Sequence, residues 1–413
     1  MDLRRLAIIG LTAAAIGSLM PSSAAGGTSA RRGLGKKPFV VVAVVDSGIN
    51  PYHSDFRRND LTAHPSTYIE GFPNDTKALK LSFGERDYHS AILRDGERWK
   101  KVKTGKLVWI PGTNIIGAID VGGSSSSFLD KVGHGTGVAS VAAGKTHGPR
   151  DPDVLLVVVT GFTAGLQWAA RQPWIDVITN SWSTYDTEPV TQGSAQASRR
   201  AVADGKVVCF ASANLSTPHW FTGEQGPSWN LNVGAASSKN RGEHYYTGWP
   251  NDVLGIANVK AAEHTSLTGE RDFNGTSAAA PHVCGLIAKV LADVRGRLGD
   301  GRQGPHKAAL ATGPKLKGSM RDGALTNDEL LDAIQSTAVP ALPNPPDPDD
   351  DASIPALPVA PWLRGGYGIV DKTSIKQALE VIYGSKARPM RTNEDTWVGL
   401  TDTIRNALWG DPP

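Results

Sequence analysis

Phe39-Val40-Val41-Val42-Ala43-Val44-Val45 runs without a polar residue and stops at Asp46-Ser47-Gly48. Valine fills most of it, and β-branched side chains favour strands. A strand with no polar alternate has no face to give to water, so it belongs in a parallel sheet covered on both sides. Runs of the same kind recur at residues 154–159, 176–179, 207–211, 231–235 and 253–257, with helix-like stretches at 166–171 and 194–204 between them. This alternation predicts an α/β protein of three layers, a mostly parallel central sheet with helices on both faces.

Residues 276–290 are rich in Ala and Gly and apolar almost all round, which predicts a buried helix. Residues 296–325 and 340–361 are rich in Gly and Pro and read as loops. Between them Thr326 is placed to cap a short helix running to Ser336, with Glu329 three residues on. A strand at 367–370 and a helix at 373–383 close the pattern. No internal repeat is present.

The chain has 413 residues, 40% hydrophobic and 20% charged, with a formal net charge of +3. That charge gives no reason to expect nucleic acid or an anionic membrane as partner. Met1-Asp2-Leu3-Arg4-Arg5, an uncharged stretch over residues 6–20 and a small-residue segment over 21–26 form a secretory signal pattern. The apolar stretch is short for a membrane anchor. We therefore expect cleavage near Ala25, an extracellular protein and no other membrane span. Residues 26–38 are then too few for a folded prodomain. Cys209 and Cys284 are the two cysteines. They exclude a disulfide framework and leave open a single bridge or two buried small hydrophobes. Asp347, Asp349, Asp350 and Asp351 cluster in a Pro-rich stretch; a solvated loop is the expected reading and calcium the alternative. No cofactor is expected to be required, and no other metal site is evident.

Three segments carry chemistry. Asp46 ends the first buried strand, at the sheet rim where open α/β folds place their sites; by itself, Asp-Ser-Gly also makes an ordinary turn. His134 stands apart from the other histidines in Gly133-His134-Gly135-Thr136-Gly137. Ser277 opens the buried helix in Asn274-Gly275-Thr276-Ser277-Ala278-Ala279-Ala280-Pro281-His282. A helix N-terminus favours developing negative charge. An N-cap serine is the plainer alternative.

In the order Asp, His, Ser, these segments resemble the motifs of the subtilisin-like serine proteases, the subtilases, over most of residues 38–384. The resemblance implies a serine endopeptidase with Asp46, His134 and Ser277 as its triad, acting on protein or peptide substrates through an acyl-enzyme. It implies that Asn214, after the 207–211 strand, serves the oxyanion together with the Ser277 backbone N–H; Asn180 is the competing candidate. Ser181, Trp182 and Ser183 resemble the strand that pairs with substrate, though Trp182 also suits core packing. The peptidase domain would span 39–384, with an insertion at 57–113 holding Trp99 and Trp109 and a C-terminal tail at 385–413. The chain departs from the family in having Gly137 for a second His, Ser183 for a Gly, and a short segment between Val159 and Leu166. The alternatives are an inactive subtilisin-fold binding module and a narrow-specificity processing protease.

Overall fold

The structure, a computed structural model, describes residues 39–122, 127–182, 192–214, 226–237, 251–298, 325–342 and 365–413. The signal pattern, residues 26–38, Ser183 and the acidic cluster lie outside the described residues.

Eleven strands are described: β1 (Val40–Val45), β2 (Lys77–Ala78), β3 (Val108–Trp109), β4 (Ile115–Asp120), β5 (Val154–Thr160), β6 (Val177–Asn180), β7 (Val207–Ala211), β8 (Leu231–Ser237), β9 (Val253–Ala257), β10 (Val259–Ala262) and β11 (Glu270–Phe273). The first nine form one sheet in the order β2-β3-β4-β5-β1-β6-β7-β8-β9. Every pairing in it is parallel except β3 with β4. Strand β1 lies in the middle because its whole surface is apolar. Val40, Val42 and Val44 join the core on one face, and Val41, Ala43 and Val45 the core on the other. Each buried valine of this kind stabilises the fold by about 1.5–3 kcal/mol.

The helices are α1 (Tyr88–Arg94), α2 (Gly96–Trp99), α3 (His134–Ala143), α4 (Phe162–Ala170), α5 (Gln192–Ala203), α6 (Thr276–Leu298), α7 (Asn327–Ser336), α8 (Lys372–Ile382) and α9 (Thr392–Trp409). Side chains of α3, α6, α7 and α8 fill the first core, and those of α4 and α5 the second. The three-layer α/β arrangement read from the sequence is therefore the one observed. The expected capping box is present, with Thr326 and Glu329 bonding each other's backbone.

Several details differ from the sequence reading. Helix α6 continues past residue 290 to Leu298. Its Arg295 is 2% exposed and grips Asp176 with two bonds, at 2.6 and 3.0 Å. A bidentate, desolvated pair of this kind fixes geometry strongly, and it pins α6 to the edge of the sheet where β6 begins. No strand forms over 367–370; Ile369 alone bridges Leu254 and Val339. Strand β4 and the antiparallel β10–β11 hairpin were not anticipated. Within residues 57–113, β2 and β3 extend the sheet beyond β4. Trp109 is buried there, and the Trp99 indole donates to the Tyr52 hydroxyl at 2.8 Å. Residues 385–413 carry α9, whose buried Arg405 donates to Asp252 at 3.0 Å and to the carbonyls of Gly226 and Pro227.

Candidate active site

Strands β1, β6 and β7 run parallel and in register, with Val45 beside Asn180 and Asn180 beside Phe210. The residues that follow them, Asp46, Ser181 and Asn214, therefore emerge on the same edge of the sheet. Helices α3 and α6 both begin there.

Asp46 is 2% exposed. Its Oδ1 accepts from Ser47 N–H at 2.7 Å and from His134 Nδ1 at 2.8 Å. A carboxylate can only accept, so Nδ1 carries the hydrogen and the neutral ring keeps Nε2 as its acceptor. The His134 side chain is 34% exposed, open enough to meet a substrate. Burial depresses its proton affinity, but the charge and hydrogen bond of Asp46 and the charge of Asp130 outweigh that, and its pKa stands above 6.5. The ring is held edge-on to Phe273 at 5.5 Å. That ring also explains the glycine at 137, since a Cβ there would come within 2.9 Å of Phe273.

Asp130 is a functional residue that the sequence reading missed. It is 3% exposed and collects five hydrogen bonds, from Ser47 Oγ, Val132 N–H, Gly133 N–H, Thr136 N–H and Thr136 Oγ1. Burial pushes its carboxyl pKa up, and these donors overcome that and hold it below the usual carboxylate range. Through them Asp130 fixes the turn that presents His134 and satisfies the N–H groups that open α3. Ser47 completes the link, donating to Asp130 and accepting from Gly135 N–H at 2.8 Å. An Asp a few residues ahead of a helix is the available signal, and by itself it is a weak one.

Ser277 sits in the first turn of α6. Pro281 has no N–H to give the carbonyl four residues back, and that carbonyl belongs to Ser277. Ser181 Oγ donates to it instead, at 3.0 Å, while Ser277 Oγ donates to Ser181 O at 3.2 Å. The Ser181 side chain is thus turned toward the α6 backbone. Among the described residues the Ser277 N–H has no acceptor.

Asn214 follows Ala213, whose φ of +83° is strained for a residue with a side chain, a cost of about 1–2 kcal/mol. Its carboxamide oxygen accepts from Thr276 N–H and Thr276 Oγ1, both at 2.8 Å. A backbone N–H can only donate, so the atom facing it is Oδ1, which leaves the amide N–H groups to donate elsewhere; Nδ2 lies 3.0 Å from where a Cβ on Gly275 would be. Gly275 makes this contact practicable, because its φ is +79° and a Cβ would fall 2.8 Å from Asn214 Oδ1. Asn180 is fully buried and donates sideways to Cys209 O at 3.2 Å. Trp182 donates to Val45 O at 3.0 Å and packs against Phe210 and Phe162. Cys209 of β7 and Cys284 of α6 are joined by a disulfide, the first of the two alternatives left open.

Asp46, His134, Asn214 and the start of α6 are thus brought to one edge, with Ser181 bonded to Ser277. Among the described residues no group of three His, Cys, Asp or Glu side chains is arranged to hold a metal.

Known proteins place the chain in a family. The chain is similar to subtilisin-like protease 5 of Arthroderma otae, 28% identical over 211 residues, covering 46% of this chain and 48% of that protein. It is 25% identical over 280 residues to a subtilisin-like protease of Coccidioides posadasii, covering 58% and 68%. The chain spans about half the length of the Arthroderma relatives it matches. Among solved structures it is similar to the prenylagaramide maturation protease PagA, with a TM-score of 0.47 and 16% identity over 84% of this chain and 95% of that one. Residues 38–300 match the Subtilase family; that span reaches from the strand ending in Asp46 to the end of the helix opened by Ser277, and the chain belongs to that family.

Proposed function

We propose that the protein is a secreted serine endopeptidase in which Ser277 attacks the peptide carbonyl, His134 takes its proton and Asp46 orients the imidazole. The observation that carries this reading is the 2.8 Å bond from His134 Nδ1 to a buried Asp46, at the sheet edge where Ser277 opens a helix. The bond leaves Nε2 as the free base. Ser277 Oγ donates to Ser181 O at 3.2 Å, and catalytic hydrogen bonds commonly tighten only when substrate is bound. Attack forms the acyl-enzyme and returns the proton to the leaving amine; water then hydrolyses the ester by the same base. The N-terminal signal pattern supports secretion, and the first residue of the exported protein tests it. A fluorophosphonate probe should label the wild type at Ser277 and leave Ser277→Ala unlabelled. Labelling that is absent from the wild type, or unaffected by the substitution, would defeat the proposal.

The pH profile follows from the histidine. The working base is the neutral ring, and its pKa is raised above 6.5, chiefly by Asp46 working against burial. kcat/KM should therefore rise with pH through a midpoint above 6.5. Asp46→Asn should move that midpoint down and lower kcat by about 10⁴-fold, because the amide cannot hold the right tautomer. Stability has the opposite sense. The raised pKa contributes stability that is fully present below pH 6.5 and is lost as pH climbs through the folded value.

Asn214 is the oxyanion donor we favour, together with the Ser277 N–H. Its oxygen is anchored by Thr276, so its amide nitrogen is aimed without further reorganisation. Asn214→Ala should lower kcat by roughly 10²–10³-fold and leave KM nearly unchanged. Asn180→Ala should act on stability instead, since its amide serves the Cys209 carbonyl. A kcat loss in Asn180→Ala but not in Asn214→Ala would reverse the assignment.

A further inference from the structure

Among the described residues, the β10–β11 hairpin leaves one cation without an ion pair beside His134. Around it the charges are matched. Lys260 pairs with Asp272 at 2.8 Å, His147 with Glu270 at 3.3 Å and His264 with Glu263 at 2.5 Å. Asp130 is saturated by backbone and hydroxyl donors. Arg271 makes no ion pair among the described residues.

Its position is fixed by two neighbours. Residues 271 and 273 share a face of β11, and Phe273 on that face lies against the His134 ring. Arg271 Nη1 stands 2.6 Å from where a Cβ on Gly133 would be, as does His264 Nδ1. Gly133 has φ +88° and immediately precedes His134. The guanidinium thus lies against the turn that carries the imidazole, half-buried, and among the described residues its fork of donors is unclaimed. Lys131 and Val132, on the same turn, are exposed, and Lys131 likewise has no ion pair among the described residues.

Such a cation works against the chemistry. The imidazole must take up a proton, and Arg271 disfavours the charged ring. An anion delivered by the substrate would cancel that opposition at the moment of reaction. Arg is also the side chain best shaped to grip a carboxylate by two bonds.

We propose that Arg271 forms a carboxylate-binding subsite, so that the enzyme selects peptides with a Glu or Asp side chain at the position passing over Gly133. This rests on the peptidase reading above. The test uses matched peptides in which Glu replaces Gln at each position flanking the cleaved bond in turn. At one position the wild type should favour Glu by about ten- to a hundredfold in kcat/KM, the range of a hydrogen bond to a charged group. That preference should shrink as salt is added. Arg271→Glu should invert it toward Lys, and Arg271→Lys should keep part of it. Cleavage with no Glu preference at any position, or with a preference that Arg271→Glu leaves in place, overturns the subsite. If the wild type cleaves none of the peptides, the catalytic reading falls by itself. Binding of fluorescent Glu and Gln peptides to Ser277→Ala, with and without Arg271→Glu, then still decides the subsite: equal affinities overturn it.

Discussion

Ser277→Ala should abolish peptide hydrolysis, with a loss on the order of 10⁶-fold in kcat, the size expected when a serine triad is taken apart. The fold should survive, because the substitution removes one hydroxyl whose recorded bond is to Ser181 O at 3.2 Å, worth about 1 kcal/mol. The thermal midpoint should therefore hardly move while activity vanishes. His134→Ala should cost nearly as much. The double variant should be no worse than either single one, since a nucleophile without its base and a base without its nucleophile fail at the same step. Purified Ser277→Ala protein that still hydrolyses peptides at the wild-type rate would remove Ser277 from the mechanism. Losses that multiply in the double variant would show that the two residues act independently.

The segments of the proposed triad were legible in the sequence because each residue sits at a boundary that local chemistry marks. Asp46 follows an uninterrupted valine-rich strand, Ser277 opens a helix that has no polar face, and His134 is bracketed by glycines. Asp130 was not legible. It lies in a loop whose neighbours, Lys131 and Val132, are exposed, and one of its partners, Ser47, is brought to it across 83 residues by the packing of β1 against α3. The role of Ser181 was hidden for a related reason. Its partner is a carbonyl released by Pro281, and only the fold shows which hydroxyl takes it. The β10–β11 hairpin escaped notice because Glu270, Arg271 and Asp272 in succession give no apolar alternation to read. It nonetheless supplies Phe273 against the imidazole. Strand β4 is not legible because its six residues, IIGAID, follow directly on the charge-rich segment 57–113, and a glycine and a terminal Asp break up a short apolar run.

Removing the Cys209–Cys284 disulfide should produce the largest change in stability. The bridge closes a loop of 75 residues, and the chain-entropy model assigns such a loop about 4 kcal/mol, arising mainly from restriction of the unfolded chain. Replacing both cysteines with alanine should lower the thermal midpoint by roughly 5–10 °C. The positions of the two residues give the bridge a second consequence. Cys209 lies in β7, the strand that leads to Asn214, and Cys284 lies in α6, about two turns beyond Ser277. The bridge thus ties the proposed oxyanion donor's strand to the proposed nucleophile's helix. Thr276 joins the same two elements through Asn214 at 2.8 Å. In the folded protein that local network and the surrounding core hold the site without the bridge, so activity at low temperature should be largely retained by the double alanine variant. Both sulfurs are fully buried, and a reductant should reach them only as the chain opens. Melts with and without dithiothreitol separate the bridge from mere packing: the wild type should melt lower in reductant, and the alanine variant should melt at the same temperature in both. A wild type that melts identically in the two conditions, with two titratable thiols once unfolded in the absence of reductant, would show that the cysteines are not joined.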